Sequence, residues 1–254
     1  MLHSTKGIVF HTIKYSETSV IVKIYTELFG IRSYLIKGIR SAKSKTRPGL
    51  FQAMTLLDLV VYHKENQSLQ SVKEVRLAIP FKTIPFDIRK SSVALFINEL
   101  VYKAIREEEA NPDLFDFLWQ TCLRLDATED SVSDFHLLFA FRLMHYLGIF
   151  PQNNYSSSLH VFNLREGIFQ GSYPGHTDYL EGENSRLLHH LLEETTSNSK
   201  MAKWRNSEIP HPESRIPNPE SRNRILEIIL RYYQLHLPGF RGMQSHHILH
   251  DVLG

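Results

Sequence analysis

The chain has 254 residues, of which 42% are hydrophobic and 22% are charged, and this is enough for one large globular domain or two smaller ones. Because it has no apolar run of 18 residues and no secretory signal pattern at its start, we expect no membrane span and a cytoplasmic location. The single cysteine, Cys122, excludes an internal disulfide and any zinc site that needs two thiolates.

The net charge of +2 conceals an uneven distribution along the chain. Residues 1–80 contain 12 lysines and arginines against 5 acidic residues, a balance of +7, whereas residues 81–254 have a balance of −5. Such an asymmetry indicates that the N-terminal part meets a polyanion while the remainder has another role.

Alternation of apolar and polar residues predicts β-strands throughout the first 80 residues. The predicted strands are 7–15, 19–26, 31–38, 55–63 and 68–77. Short turns separate them, except for one long connection between the third strand and the fourth. This arrangement predicts an OB-fold barrel, with an SH3-like barrel as the main alternative.

After Pro80 and Pro85 the hydrophobic period changes to about 3.6, which predicts helices. They are expected at 87–109, 111–126, 130–148, 184–195, 223–237 and 245–253. A small hairpin insert is predicted at 156–177 and an exposed, proline-containing loop at 196–222. The predicted fold class is therefore α+β multidomain: a five-stranded OB-fold β-barrel at 1–80 is followed by an α-helical domain at 81–254.

The stretch KGIRSAKSKTRPG at 37–49 carries five cations and no acid. By itself it fits a solvated loop as well as a binding loop. Cations and aromatic residues also alternate on the flanking strands, and barrels that bind single strands use cations for phosphates and rings for base stacking. The predicted DNA-binding residues are Lys6, Lys14, Lys23, Arg32, Tyr34, Lys37, Arg40, Lys43, Lys45 and Arg47. Phe10 and Tyr25 fit the barrel core equally well.

Catalytic signatures are missing from the sequence. It has no GxxxxGK[ST] loop, no GxSxG elbow and no pair of acids typical of a two-metal nuclease. His246, His247 and His250 have helical metal-ligand spacing, but no HExxH motif or carboxylate triad accompanies them, and His189 and His190 carry still less weight. We therefore expect a binding protein without a metal or cofactor, and not an enzyme.

Five segments, taken in chain order, carry a resemblance to a known family: KGIVFHTIKYSETSVIVKIYTELFGIRSYLIKGIRSAKSK, LFDFLWQ, FHLLFAFRLMHYLGIFP, FNLREGIF and LRYYQLHLPGFRGMQS. In the same order they resemble segments of the bacterial RecO family of recombination mediator and repair proteins, in particular its Bacteroidetes-type branch. The resemblance implies an OB-fold that binds single- and double-stranded DNA, annealing of complementary strands, and partnership with RecR and the single-strand binding protein SSB to load RecA. A protein-interaction adaptor with incidental DNA affinity is the competing interpretation, and an unrecognised nuclease is a third.

This sequence lacks one feature of the family and matches a second only weakly. Many family members hold zinc through four cysteines in the hairpin insert, and those cysteines are missing here, so packing is expected to hold the insert. Some relatives seat the C-terminal tail of SSB in a groove of the helical domain. Arg142, Leu143 and Tyr146 are the plausible counterparts, although Arg142 fits equally well as a partner of a buried carbonyl or of an acid.

Overall fold

Five strands at the N-terminus close into a barrel in the computed structural model, which describes residues 1–39, 48–106, 108–196, 216 and 218–253. The strands are β1 (Leu2–Lys14), β2 (Val20–Thr26), β3 (Gly30–Ile36), β4 (Leu56–Tyr62) and β5 (Leu69–Leu77). They pair in the order β1-β2-β3-β5-β4, and only the β3–β5 pair is parallel. The predicted OB-fold is confirmed, and the SH3-like alternative is wrong.

The chain divides into two compact units, residues 1–128 and 129–254. The first unit contains the barrel and helices α1 (Ile88–Ala104) and α2 (Pro112–Ala127). The second unit contains α3 (Phe135–Tyr146), β6 (Val161–Asn163), β7 (Ile168–Gln170), β8 (Tyr179–Leu180), α4 (Gly182–Thr196), α5 (Pro219–His236) and α6 (Ser245–Leu253). The predicted domain boundary at residue 80 stays a prediction. Within the described ranges, no helix has the length and apolar character needed to cross a membrane.

A β-bulge in β1 joins the barrel to α1. The β1–β2 register skips Phe10, which lies between Val9 and His11. Val9 packs in the barrel core, whereas the Phe10 ring stacks on Tyr25 with centroids 5.6 Å apart. Nδ2 of Asn98, on α1, donates a 2.9 Å hydrogen bond to the carbonyl of Phe10. The bulge thus presents a carbonyl to the helix, and the hydrogen bond holds α1 against the barrel.

Helix α1 ends at Ala104, five residues before the predicted end. The chain then becomes extended at Ile105, and its backbone at Glu109 lies against Gly30, where an added Cβ would approach the Glu109 carbonyl carbon to 2.9 Å. Gly30 also has a φ of +62°, so both its conformation and its close contact require glycine. Tertiary packing on the barrel, which the helical pattern does not reveal, therefore sets the helix end.

The hairpin insert of the second unit is held by an ion-pair network as well as by packing. Strands β6 and β7 form the predicted hairpin, and β8 adds a third strand that the sequence did not indicate. The Asp178 carboxylate, just before β8, accepts hydrogen bonds from Arg165 Nε at 2.8 Å and from Arg231 Nε at 2.9 Å. The hydrogen bond from Arg231 has the larger effect, and together the two bonds hold the pKa of Asp178 below its usual value although burial raises it. Asp178 thus fastens the insert to α5 without cysteines.

The last residues of the predicted loop at 196–222 are helical. Helix α5 begins at Pro219, and Oδ1 of Asn218 accepts a 2.8 Å hydrogen bond from the Ser221 backbone N–H. An asparagine cap followed by proline is a strong helix start, so residues 219–222 form the first turn of α5. The rest of the predicted loop, 197–215 and 217, lies outside the described residues.

Candidate nucleic-acid interface

The long connection between β3 and β4 has a buried side chain at each of its ends. Ile39, at its start, and Phe51, at its end, are 3% and 4% exposed and belong to the barrel core. The Thr12 hydroxyl of β1 donates a 2.7 Å hydrogen bond to the Phe51 carbonyl. Both ends of the cationic stretch are therefore fixed to one end of the barrel.

Two predicted cations lie at this same end. The register pairs Lys14 with Val20 and Val20 with Ile36, so Lys14 is level with the residue before Lys37. Both lysines are exposed. We call this region, comprising Lys14, Lys37 and the connection at 38–51, the loop end of the barrel. The other predicted cations of the connection, Arg40, Lys43, Lys45 and Arg47, lie outside the described residues.

Two more predicted DNA-binding cations contact aromatic rings of the first unit. Lys6 Nζ lies 5.3 Å from the ring centroid of Trp119 on α2. Lys23 Nζ lies 5.3 Å from the ring centroid of Tyr102 on α1. Both distances are typical of cation–π contacts. Lys6 nevertheless stays exposed and Lys23 is half-buried, so their contact with DNA stays a prediction.

Arg32 is engaged by the acidic segment that follows α1. Its Nη1 lies 3.1 Å from Glu108 Oε2, and its side chain is 20% exposed. Lys6 also lies next to Asp58 in the strand register, and Asp58 lies next to Arg76. The outer surface of the barrel therefore mixes charge signs away from the loop end, and the predicted cations do not form a continuous track there.

The ring of Tyr34 lies inside the barrel, and its prediction as a stacking residue is not supported. The side chain is 0% exposed and belongs to the barrel core. Burial raises the pKa of its hydroxyl to about 12. The neighbouring core residues occupy the space that a base would need, so Tyr34 stabilises the fold. Phe10 and Tyr25, for which both roles were left open, are buried as well.

Half-buried rings pack at the opposite end of the barrel. Phe29 stacks on His63 with centroids 3.9 Å apart, and His3 meets Phe29 edge-on at 5.2 Å. Burial, followed by the charges of Arg32 and His3, lowers the pKa of the His63 imidazole. The lower pKa disfavours the charged form of His63, and the sequence did not indicate this ring cluster.

The predicted contacts for the SSB tail lie on α3 in the second unit. Arg142 is 6% exposed and Leu143 is 0% exposed, whereas Tyr146 is half-buried. A peptide cannot reach the first two side chains while α3 keeps this packing. Arg142 and Leu143 are thus closed to a peptide in this packing, and their contact with the SSB tail stays a prediction.

Histidines of the second unit differ in how well they could hold a metal ion. His246 and His247 stack on each other at 3.9 Å on α6, but they do not converge with a third ligand among the described residues. Among the described residues, the ligand atoms of His189, His190 and Glu193 on α4 do lie close together.

Comparison with known proteins gives matches along the whole chain. The family model described as Recombination protein O N terminal matches residues 1–81, and Recombination protein O C terminal matches residues 85–244. A DNA repair protein RecO of Bacteroides fragilis is 36% identical over 253 residues, which cover 99% of each chain. Proteins of the same name from Christiangramia forsetii and Flavobacterium psychrophilum are each 34% identical, with 100% and 98% of both chains covered.

Proposed function

The chain belongs to the recombination protein O family of DNA repair proteins, which are not enzymes, and from this premise we propose that the loop end of its barrel binds the phosphodiester backbone of DNA. The observation that carries the proposal is the position of the cations. The strand register brings Lys14 and Lys37 to the barrel end where the connection that carries the other four predicted cations is anchored. Cations concentrated at one site release counterions from DNA when they bind it.

Both single- and double-stranded DNA fit this mode of binding, because a phosphate contact carries no information about base sequence. Neutralising phosphates on two strands lowers the repulsion between them, so complementary bases can meet. We propose that the chain anneals complementary strands in this way. Annealing requires neither hydrolysis nor a bound cofactor.

The partners implied by the family resemblance complete the proposal. The chain acts with RecR to load RecA on DNA covered by SSB, in the cytoplasm, where bacterial DNA lies. Contact of the SSB tail with Arg142 and Leu143 would require α3 to move, since both side chains are buried. The partnership with SSB rests on the family resemblance.

An annealing assay tests the proposed function. Complementary labelled oligonucleotides are mixed at about 0.1 M salt with the wild-type chain or with the double variant Lys14→Ala/Lys37→Ala. We expect the wild type to accelerate annealing and the variant to bind the single strand roughly three- to tenfold more weakly, because two exposed charge contacts are lost.

The control is Lys64→Ala, which removes an exposed cation just after β4, at the opposite end of the barrel. It should anneal and bind like the wild type. Annealing at the same rate with and without the wild-type chain would contradict the annealing role. Equal affinity of the double variant and the wild type would contradict the placement of the site.

A further inference from the structure

Three side chains with metal-binding atoms converge on the C-terminal half of α4. Ligand atoms of His189, His190 and Glu193 all lie within 4.8 Å of one another. His189 Nε2 is 3.7 Å from Glu193 Oε2, and His190 Nδ1 is 3.6 Å from the same oxygen. Two imidazole nitrogens therefore face one carboxylate oxygen.

The neighbouring Asn153 sets the tautomer of the His189 ring. Asn153 Oδ1 lies 2.8 Å from His189 Nδ1, and the amide orientation is set by Nδ2, which donates to the His189 carbonyl at 3.4 Å. Because an amide oxygen only accepts, Nδ1 carries the hydrogen and donates it, which leaves the lone pair of the neutral ring on Nε2. Nε2 is then an acceptor that lies 3.7 Å from a second acceptor, Glu193 Oε2, and a proton, a water molecule or a cation between the two atoms relieves this arrangement. Histidines that bind metals typically donate the other ring N–H in this way.

The His189 ring is also held by packing, whereas the other two ligands are open to solvent. Tyr155 stacks on the ring with centroids 4.4 Å apart, and the side chain of His189 is 19% exposed. The side chains of His190 and Glu193 are 67% and 58% exposed. One ligand is thus preorganised, and a metal ion can reach the site from solution and draw in the other two.

The distances fit a first-row transition metal. Ligand atoms around a tetrahedral zinc ion, with bonds of about 2.0–2.1 Å, lie about 3.3 Å apart. A shift of a few tenths of an ångström in the exposed Glu193 side chain would bring both of the measured separations to that value. The third separation, between His189 and His190, is at most 4.8 Å, and rotation of the exposed His190 ring can shorten it. Two imidazoles and one carboxylate suit zinc, nickel and copper, whereas magnesium and calcium prefer oxygen ligands alone.

We propose that His189 Nε2, His190 Nδ1 and Glu193 Oε2 bind one divalent transition-metal ion, with zinc as the expected occupant. Three protein ligands leave the fourth position to water or to a ligand from outside the chain. The metal joins two turns of α4 and so stabilises the end of this helix. This site is independent of the barrel and of the proposed DNA contacts.

Isothermal titration with ZnCl₂ tests the proposal. The full chain without a polyhistidine tag is treated with chelator, dialysed and then titrated. We expect one zinc ion per chain, and we expect His190→Ala and Glu193→Gln each to weaken binding at least about tenfold. Asn153→Ala, which removes the acceptor behind His189, should weaken binding about 10- to 100-fold. Cobalt added in place of zinc should give a visible d–d absorption band that is lost in the first two variants.

The control is His250→Ala, since His250 is an exposed histidine on α6. It should bind zinc like the wild type, and circular dichroism of each variant should match that of the wild type because none of the substituted side chains is fully buried. The proposal is overturned if the wild type binds no stoichiometric zinc at micromolar concentrations. It is also overturned if binding survives in both His190→Ala and Glu193→Gln, or if it is lost in His250→Ala.

Discussion

Replacing Asp126 with alanine is expected to destabilise the first unit by about 2–4 kcal/mol. The carboxylate, near the end of α2, accepts hydrogen bonds from the backbone N–H groups of Lys82, Thr83 and Ile84 at 2.8–3.0 Å. It therefore holds the segment that connects β5 to α1. The ammonium group of Lys90, which is 5% exposed, donates to the Asp126 and Thr128 carbonyls at 3.0 and 2.6 Å, so the same junction also anchors a buried cation.

The stability difference should depend on pH with a defined sign. Burial alone would raise the pKa of the Asp126 carboxyl, but the backbone N–H donors outweigh it and hold the pKa below its usual value of about 3.9. A carboxyl whose pKa is lower in the folded state contributes stability that is fully present above the unfolded pKa and is lost as the pH falls through the folded pKa. The difference between the wild type and Asp126→Ala should therefore be constant near neutral pH and shrink below about pH 4.

Urea unfolding followed by tryptophan fluorescence measures this effect. The chain has two tryptophans, and a Trp204→Phe background leaves Trp119 of α2 as the reporter of the first unit. The matched control is Asp116→Ala, an exposed aspartate on the same helix, which should change stability by less than about 0.5 kcal/mol. Equal stability of Asp126→Ala and Asp116→Ala at pH 7, or a difference that grows in acid, would show that the junction does not have this role.

The second large effect is expected at Tyr34, where alanine should destabilise the barrel by about 3–5 kcal/mol. Its ring fills the centre of the barrel together with Val22, Ile24 and Leu59, so removing it leaves a cavity. Tyr34→Phe keeps the ring and should be close to the wild type in stability.

Tyr34→Leu separates a core role from base stacking. A stacking residue contributes about 1–3 kcal/mol per base to binding, so its loss would weaken DNA affinity roughly 5- to 150-fold. If Tyr34 is a core residue, Tyr34→Leu should have an affinity for a labelled oligonucleotide within about twofold of that of the wild type. The affinity is measured at a temperature where the variant stays folded. A large loss of affinity in a folded Tyr34→Leu variant would place the ring in contact with DNA.

The barrel could be predicted from local signals because its strands alternate and its turns are short. The face that each strand residue occupies could not be predicted, since alternation does not tell which set points inward. Residues of one set can also differ: Arg32 and Tyr34 lie two residues apart and so on the same face of β3, yet Tyr34 fills the core and Arg32 reaches Glu108. The bulge at Phe10 changes the alternation again within β1.

Contacts between residues far apart in the sequence account for the other differences. Helix α1 ends early because the following segment packs against Gly30, about 80 positions earlier in the chain. Asp178 joins Arg165 to Arg231, and Asn153 orients His189. No periodicity or short motif encodes such pairings. The cationic stretch at 37–49 could be recognised because its charges are adjacent in the sequence.

The salt dependence of single-stranded DNA binding tests the central claim most directly. The affinity for a fluorescent oligonucleotide is measured at several salt concentrations for the wild type and for a variant with five loop-end cations changed to alanine: Lys37, Arg40, Lys43, Lys45 and Arg47. The control variant loses five exposed cations of the first unit that lie elsewhere: Lys64, Arg76, Lys82, Arg89 and Arg106. Both variants lose the same total charge. If all five cations contact phosphates, the slope of log affinity against log salt concentration should be shallower than that of the wild type by about 3.5 in the first variant, because each contact contributes about 0.7. The slope of the control variant should stay near the wild-type value. Equal slopes in the wild type and the loop-end variant, or an equal reduction in both variants, would contradict binding at the loop end.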